Sequence, residues 1–188
     1  MEEIEIQEGQ IRQLFASVVW THKIQEKQAD IYRNRYRCME TIKILLSALT
    51  SSGIISVLFV DNFWLKVVSA ILSGISLFVS IYCETYDLKT EANHHKRTAL
   101  SLLSLRERII SLLSDIKCNK LSYDEIVSIK ATLYDEYFNI CDVAKDTCEK
   151  AVNKATKALK IRKDNTYSDS EIDSFLPIIL RKENNKEK

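Results

Sequence analysis

The chain has 188 residues, and its 27 lysines and arginines almost balance its 26 aspartates and glutamates. A net charge of +1 argues against a protein that coats nucleic acid and against an acidic tail protein. With only 3 glycines and 1 proline, the chain lacks the turn residues of a sandwich, a barrel or an α/β enzyme, so an all-helical fold is expected. The forty residues from Ile44 to Cys83 contain only two charges, Asp61 and Lys66. An apolar block thus lies between two strongly charged flanks, as in membrane proteins.

The apolar block predicts a transmembrane hairpin with spans at residues 42–61 and 64–83. Each span has twenty residues, and at about 1.5 Å per residue each helix would cross roughly 30 Å of hydrocarbon. Trp64, Tyr82 and Tyr86 lie where interfacial aromatic residues are expected. The alternative is a buried helical hairpin in a soluble bundle, which would normally carry a charged stripe that neither span has.

Cationic residues flank the block and set its expected orientation. The positive-inside rule places both termini in the cytoplasm and the short turn outside. The five cysteines are an odd number without framework spacing, so we expect reduced thiols that pack as small buried hydrophobic residues. The flanking cations are Lys27, Arg33, Arg35 and Arg37 before the block, and Lys89, Lys96 and Arg97 after it.

Apolar residues at alternating four- and three-residue spacing predict long helices on both sides of the hairpin. One runs into the first span, and a second continues out of the second span without a break. A capping box at Ser122 and Glu125 starts a third helix, predicted to run to Arg162, which would carry its end about 60 Å from the bilayer. A weaker box at Ser168 and Glu171 opens a short helix. The predicted layout is an N-terminal helix (1–41), the hairpin (42–83), a helical bundle (84–163), and a short helix with a disordered tail (164–188).

One chain is not expected to bury three narrow apolar seams of this length, so we expect a homo-oligomeric bundle, most simply a tetramer. His22, His95 and Arg106 fall on the seams. They could be ligands or pH sensors, although buried polar groups that fix the alignment of the helices are the favoured interpretation. The expected fold class is an all-α membrane protein with a two-span hairpin and an oligomeric helical bundle.

The order of these features resembles a known family. A charged helix containing the residues Trp20 to Lys23 leads through Tyr32, Arg33 and Arg37 into a two-span hairpin, and a charged helical region follows. Residues 10–163 are in this way similar to the SLATT domain family of bacterial two-transmembrane effectors. The resemblance implies a multi-pass protein of the bacterial inner membrane that oligomerises, opens a pore and arrests the infected cell. It also implies a nucleotidyltransferase or reverse transcriptase encoded nearby, which makes a nucleotide signal. No separate sensor domain is visible here, in contrast to other members.

A serine face in the second span is a candidate pore lining. Its residues recur at spacings of four, three and four, which places them on one side of a helix. Hydroxyl groups on a channel wall can replace the water around a passing ion. Close packing of helices through small residues explains the same pattern equally well. The face consists of Ser69, Ser73, Ser76 and Ser80.

A cationic stretch at the end of the third helix is a candidate anionic-ligand site. Between Lys145 and Lys163 there are seven positive and two negative residues. The alternative is that these cations stabilise a helix C-terminus and keep the surface soluble. In an oligomer the stretch would repeat and form a ring that binds the phosphates of a nucleotide or short oligonucleotide. The candidate residues are Lys150, Lys154, Lys157, Lys160, Arg162 and Lys163.

No catalytic function is expected. The sequence has no serine–histidine–aspartate spacing, no glycine-rich phosphate loop and no metal-binding motif, so neither catalytic residues nor a cofactor or metal site are predicted. A non-conducting membrane anchor that recruits a soluble partner through its helices remains as the alternative to a channel. Ion flux would separate these two functions.

Overall fold

The computed structural model describes residues 2–60, 62–164, 168–177 and 181, and all regular structure in these residues is helical. The predicted all-helical class is therefore confirmed for this part of the chain. A five-residue π-helical segment, Lys157–Ile161, continues the fifth helix. The six α-helices are α1 (Glu2–Phe59), α2 (Phe63–Thr85), α3 (Leu88–Lys117), α4 (Tyr123–Asp142), α5 (Glu149–Thr156) and α6 (Asp169–Phe175).

Helix α1 is a single helix of 58 residues whose two halves have different surroundings. Its N-terminal half buries one face, and Ile11, Val18 and Ala29 on that face are at most 1% exposed. Beyond this half most of its described apolar side chains are exposed, among them Ile44 at 66% and Phe59 at 83%. By length and composition α1 and α2 could both cross a membrane. The chain does not itself bury this apolar surface, which favours a membrane-spanning hairpin over one buried within a soluble bundle.

The two apolar helices are joined by a short turn that Asn62 closes. Its side-chain oxygen accepts hydrogen bonds from the backbone N–H groups of Trp64 at 2.9 Å and Leu65 at 3.4 Å, which caps the start of α2. Asp61, the last residue of the predicted first span, is outside the described residues. The helices then pack together, and Gly53 on α1 faces Ser69 on α2.

The helix that leaves the second span is broken, contrary to the prediction. Helix α2 ends at Thr85 and α3 begins at Leu88. Between them Asp87 acts as an N-cap, because its carboxylate accepts a hydrogen bond from the Thr90 N–H at 2.9 Å. Aspartate is among the preferred N-cap residues, and this local bond starts a new helix where the apolar pattern alone indicates continuity. The chain thus has a joint at the end of its second apolar helix.

Helices α1, α3 and α4 form a three-helix bundle beside the hairpin. The phenol of Tyr137 on α4 lies 3.3 Å from the hydroxyl of Thr21 on α1, and Tyr134 donates to the carbonyl oxygen of Gln10 at 3.3 Å. The predicted seams bury against one another within one chain. The inference that only an oligomer could bury them was therefore wrong. The core contains Ile11, Leu14, Val18, Leu102, Leu105, Ile109, Leu112, Ile116, Ile126 and Leu133.

The third helix of the bundle ends at Asp142 and does not run to Arg162 as predicted. The backbone groups at this break are bound by α1. Gln25 donates from its amide nitrogen to the carbonyl oxygen of Lys145 at 3.3 Å, and Gln28 accepts a hydrogen bond from the Cys148 N–H at 3.1 Å. Because these buried glutamines satisfy the groups that a helix would otherwise pair, the break needs no glycine or proline to mark it.

The five cysteines are free thiols, but none of them is buried, so the prediction of small buried cysteines was wrong. Cys118 and Cys148 are exposed because they lie at helix ends, and Cys38 is on an exposed face of α1. The short sixth helix begins with the predicted capping box, in which Ser168 accepts from the Glu171 N–H. Most of the tail that was predicted to be disordered lies outside the described residues.

Candidate functional site

Three of the six residues of the predicted anionic-ligand site line a groove beside α1. The other side of the groove is the C-terminal segment, which consists of α5, the π-helical segment and the residues up to Asp164. Lys154, Lys157 and Arg162 form one wall of a groove of about 440 Å³. Lys150 lies beside it and lines an adjoining hollow of about 270 Å³, which also includes Lys154.

The two remaining predicted cations are not part of the groove wall. The ammonium group of Lys160 lies 5.9 Å from the centre of the Trp20 ring, within the range of a cation–π contact. Lys163 has a positive φ of 54° and turns the backbone at the end of the segment. The structure therefore brings together four of the six predicted residues and assigns local contacts or a turn to the other two.

The opposite wall of the groove comes from α1 and was not predicted. Lys27, Asp30 and Asn34 line it. Their positions at intervals of three, four and seven place them on one face of a helix, which is a signal that the sequence contains. Lys27 was assigned only to the cationic flank of the membrane segment, because nothing local indicates that the C-terminal segment packs beside it.

The groove cations differ in how far they are already neutralised. Lys27 lies 3.6 Å from an oxygen of Asp30, and Arg162 lies 3.2 Å from one of Asp164. Lys154 and Lys157 are exposed and have no ionic partner among the described residues. An anion in the groove would therefore gain most from these two lysines, because it need not displace a carboxylate from them.

A buried lysine fastens the C-terminal segment to α1. Lys23 is only 4% exposed, and its ammonium group lies 3.0 Å from Glu26 and 3.1 Å from Asp164. The hydrogen bond from Lys23 holds the pKa of Asp164 below its usual value. Burial alone would raise the pKa of Glu26, but the hydrogen bond and charge of Lys23 outweigh it and lower that pKa. The left-handed backbone at Lys163 directly precedes Asp164.

A chain of buried polar side chains binds the backbone just before the start of α5. His95 is 1% exposed, its Nδ1 lies 2.5 Å from Gln25 Oε1, and its ring stacks on Tyr32 with centres 5.4 Å apart. Gln25 in turn binds the carbonyl oxygen of Lys145. Burial lowers the pKa of His95 and of His22, which favours their neutral forms. His22 and His95 are thus buried polar groups, as the favoured interpretation predicts. Among the described residues, no group of three or more histidines, cysteines and carboxylates could hold a metal ion.

The groove lies close to the apolar hairpin, not about 60 Å from it as predicted. Asn34 is eight positions before Ile42 in the unbroken α1, a distance of about 12 Å along the helix. The predicted distance of about 60 Å assumed that the third helix is straight and points away from the membrane. In the structure α4 runs antiparallel to α3, and α5 then packs on α1.

The four serines of α2 have different surroundings. Ser69 is 8% exposed and faces Gly53, so in one chain it belongs to the contact between the two apolar helices. Ser73 is exposed, and Ser76 and Ser80 are half-buried. Gly74 has open space around it, so no neighbour within the chain packs closely against α2 at this glycine.

Comparison with protein families gives one match. The model of the SMODS and SLOG-associating 2TM effector domain family 4 matches residues 7–171, which cover α1 to α5 and reach into α6. The match includes both apolar helices and both walls of the groove. No curated protein and no solved structure matches the chain.

Proposed function

We propose that this chain, which belongs to the SMODS and SLOG-associating two-transmembrane effector domain family, is a pore-forming effector of a bacterial anti-phage system. A partner enzyme, a nucleotidyltransferase or reverse transcriptase encoded nearby, makes a nucleotide or short oligonucleotide signal. Binding of this signal opens the pore, depolarises the inner membrane and arrests growth. Both chain termini face the cytoplasm in this proposal.

The groove between α5 and α1 is the proposed site for the signal. Its volume of about 440 Å³ lies within the range of small-molecule sites. The observation that carries the proposal is the pair Lys154 and Lys157, two exposed cations on a concave wall without an ionic partner among the described residues. Phosphate groups are the natural partners of such lysines. The side-chain amide of Asn34 on the opposite wall can accept hydrogen bonds from a base or sugar and donate hydrogen bonds to it.

A pore requires several copies of the chain. The two apolar helices pack against each other at Gly53 and Ser69, so one hairpin encloses no channel. A homo-oligomer, most simply a tetramer, would place several copies of α2 around an axis. Ser73 is the serine of the predicted face that stands exposed and could line such a channel.

The unbroken α1 links the groove to the membrane. One helix carries the groove residues Lys27 and Asn34 and continues through the first apolar segment to Phe59. A ligand that pulls α5 towards α1 can therefore bias the position of the pore helices. To change an open-to-closed ratio from 1:99 to 99:1, the ligand must bind the open form about 5.5 kcal/mol more tightly.

A charge-reversal experiment tests the proposal. The chain is expressed in bacteria with the enzyme encoded beside its gene, and a voltage-sensitive dye reports the membrane potential. Wild type should depolarise the cells, whereas Lys154→Glu with Lys157→Glu should not. Lys117→Glu with Lys120→Glu is the control of equal charge change, since both residues are exposed and lie at and just beyond the C-terminal end of α3.

The results separate the proposal from its alternatives. Depolarisation that persists in the Lys154 and Lys157 variant would place sensing outside the groove. A membrane potential that stays intact with wild type, although the protein is present in the membrane, would favour the non-conducting anchor that recruits a soluble partner.

A further inference from the structure

Folding brings a part of the chain that is distant in sequence to the level of the lipid headgroups. The hollow beside the groove is lined by Ile31, Asn34, Arg35 and Cys38 from α1 and by Lys150 and Lys154 from α5. Lys150 lies more than a hundred residues after the start of the first apolar segment. A count of charges next to that segment in the sequence therefore does not include Lys150.

The distance to the bilayer follows from the unbroken helix. Cys38 and Arg35 precede Ile42 by four and seven positions, which correspond to about 6 Å and 10 Å along α1. The headgroup region is roughly 5–7 Å thick on each side of the hydrocarbon. The hollow therefore begins within the headgroup layer, and the lysines on its other wall can reach the phosphates.

The charge of the hollow is one-sided. Its lining includes three cations, Arg35, Lys150 and Lys154, and no carboxylate. All three side chains are exposed, and none has an ionic partner among the described residues. Such cations near a membrane attract anionic lipids, with about 1 kcal/mol, or roughly fivefold in affinity, for each one.

We propose that this hollow binds the headgroup phosphate of an anionic lipid in the leaflet that faces the helical bundle, and that the lipid clamps α5 to α1. The proposal requires that α1 crosses the bilayer, but it depends neither on a pore nor on a nucleotide signal. Since Lys154 lines both the hollow and the groove, a bound lipid lies directly beside the site proposed for the signal. Membrane composition would then influence how the signal is sensed.

Lipid retention by the full-length protein tests the proposal. The protein in a neutral detergent is titrated with phosphatidylglycerol or with phosphatidylcholine, and native mass spectrometry counts the lipids that each chain retains. We expect preferential retention of phosphatidylglycerol. Lys150→Gln with Lys154→Gln should weaken the tightest binding about 25-fold, and Arg35→Gln, on the other wall, about fivefold. Lys117→Gln with Lys120→Gln is the control of equal charge change and should have no effect.

Three results would overturn the proposal. The first is equal retention of the two lipids, and the second is an equal loss in the α5 and control variants. The third is equal binding of glycerol phosphate, a headgroup without acyl chains, since the hollow would then bind a free phosphate and not a lipid. Hydrogen exchange of α5 confirms that each variant is folded.

Discussion

Gly53 and Ser69 face each other so closely that a Cβ atom on Gly53 would lie 2.8 Å from the Ser69 hydroxyl oxygen. The absence of a side chain at Gly53 allows α1 and α2 to approach at this level. Ser69 is 8% exposed because of this contact. Of the four serines on this face of α2, Ser69 therefore packs against α1. Ser73, Ser76 and Ser80 are the three that could still line a pore.

The first prediction concerns this contact. Gly53→Ala should be nearly neutral, because the Ser69 hydroxyl can rotate away from one methyl group. Gly53→Leu should force the helices apart and destabilise the protein by about 1–3 kcal/mol. The midpoint of thermal unfolding in detergent measures the change. Gly74→Leu is the control, since Gly74 has no neighbour within 4 Å in the chain. An equal loss in both leucine variants would contradict the contact.

The second prediction concerns the serines of this face that are not buried against α1. Ser73→Leu and Ser76→Leu should each reduce ion conductance without preventing assembly, since leucine cannot replace water around an ion. Phe78→Ala is a control on the same helix, because Phe78 is 69% exposed and lies on the side of the helix opposite the serine face. Single-channel recording of the reconstituted protein gives the conductance. Unchanged conductance in both serine variants would leave only a packing role for this face.

The third prediction concerns the buried Lys23. Asp164→Asn should loosen the C-terminal segment, because Lys23 would then be left with Glu26 as its ionic partner among the described residues. Hydrogen exchange of residues 157–164 should become faster. The pKa of Asp164 is lowered in the folded protein, so the Lys23–Asp164 contact stabilises wild type fully at any pH above the usual aspartate pKa. That contribution is lost as the pH falls through the lower pKa of the folded protein. Asp135→Asn, at an exposed position on α4, should leave the exchange of this segment unchanged.

The fourth prediction is a dependence of stability on pH. Burial lowers the pKa of His22 and His95 below 6.5, so the unfolded chain takes up protons first as the pH decreases. The contribution of these histidines to stability is thus complete above pH 6.5 and decreases as the pH falls towards the folded values. The thermal midpoint should drop between pH 7.5 and 5.5, and His22→Asn with His95→Gln should reduce that drop. If the thermal midpoint of this variant falls as much as that of wild type, groups other than these two histidines cause the pH dependence.

The seams and the capping boxes could be predicted from the sequence because local rules determine them. Val18, Leu102 and Leu133 follow the four- and three-residue apolar spacing and lie in the core, and the boxes at Ser122 and Ser168 begin helices α4 and α6. The order of charged helix, hairpin and charged helical region also predicts the family whose model matches the chain.

The rest depends on contacts between distant residues. The break after Asp142 exists because Gln25 and Gln28 bind the backbone there, and neither glutamine is near it in sequence. The same break turns α5 back onto α1, which completes the groove with Asn34 and brings it close to the membrane. A charge count along one helix could identify Lys154 and Lys157, but it could not supply the wall opposite them.

Ion flux through liposomes that contain the purified chain tests the central claim most directly. Vesicles loaded with a potassium-sensitive dye receive the small-molecule extract of cells that express the enzyme encoded beside the gene, or the extract of cells without that enzyme. The proposed function predicts rapid flux with the first extract alone, and none with the Lys154→Glu and Lys157→Glu variant. The absence of flux with either extract, from wild-type protein shown to be inserted in the vesicles, would contradict a gated pore.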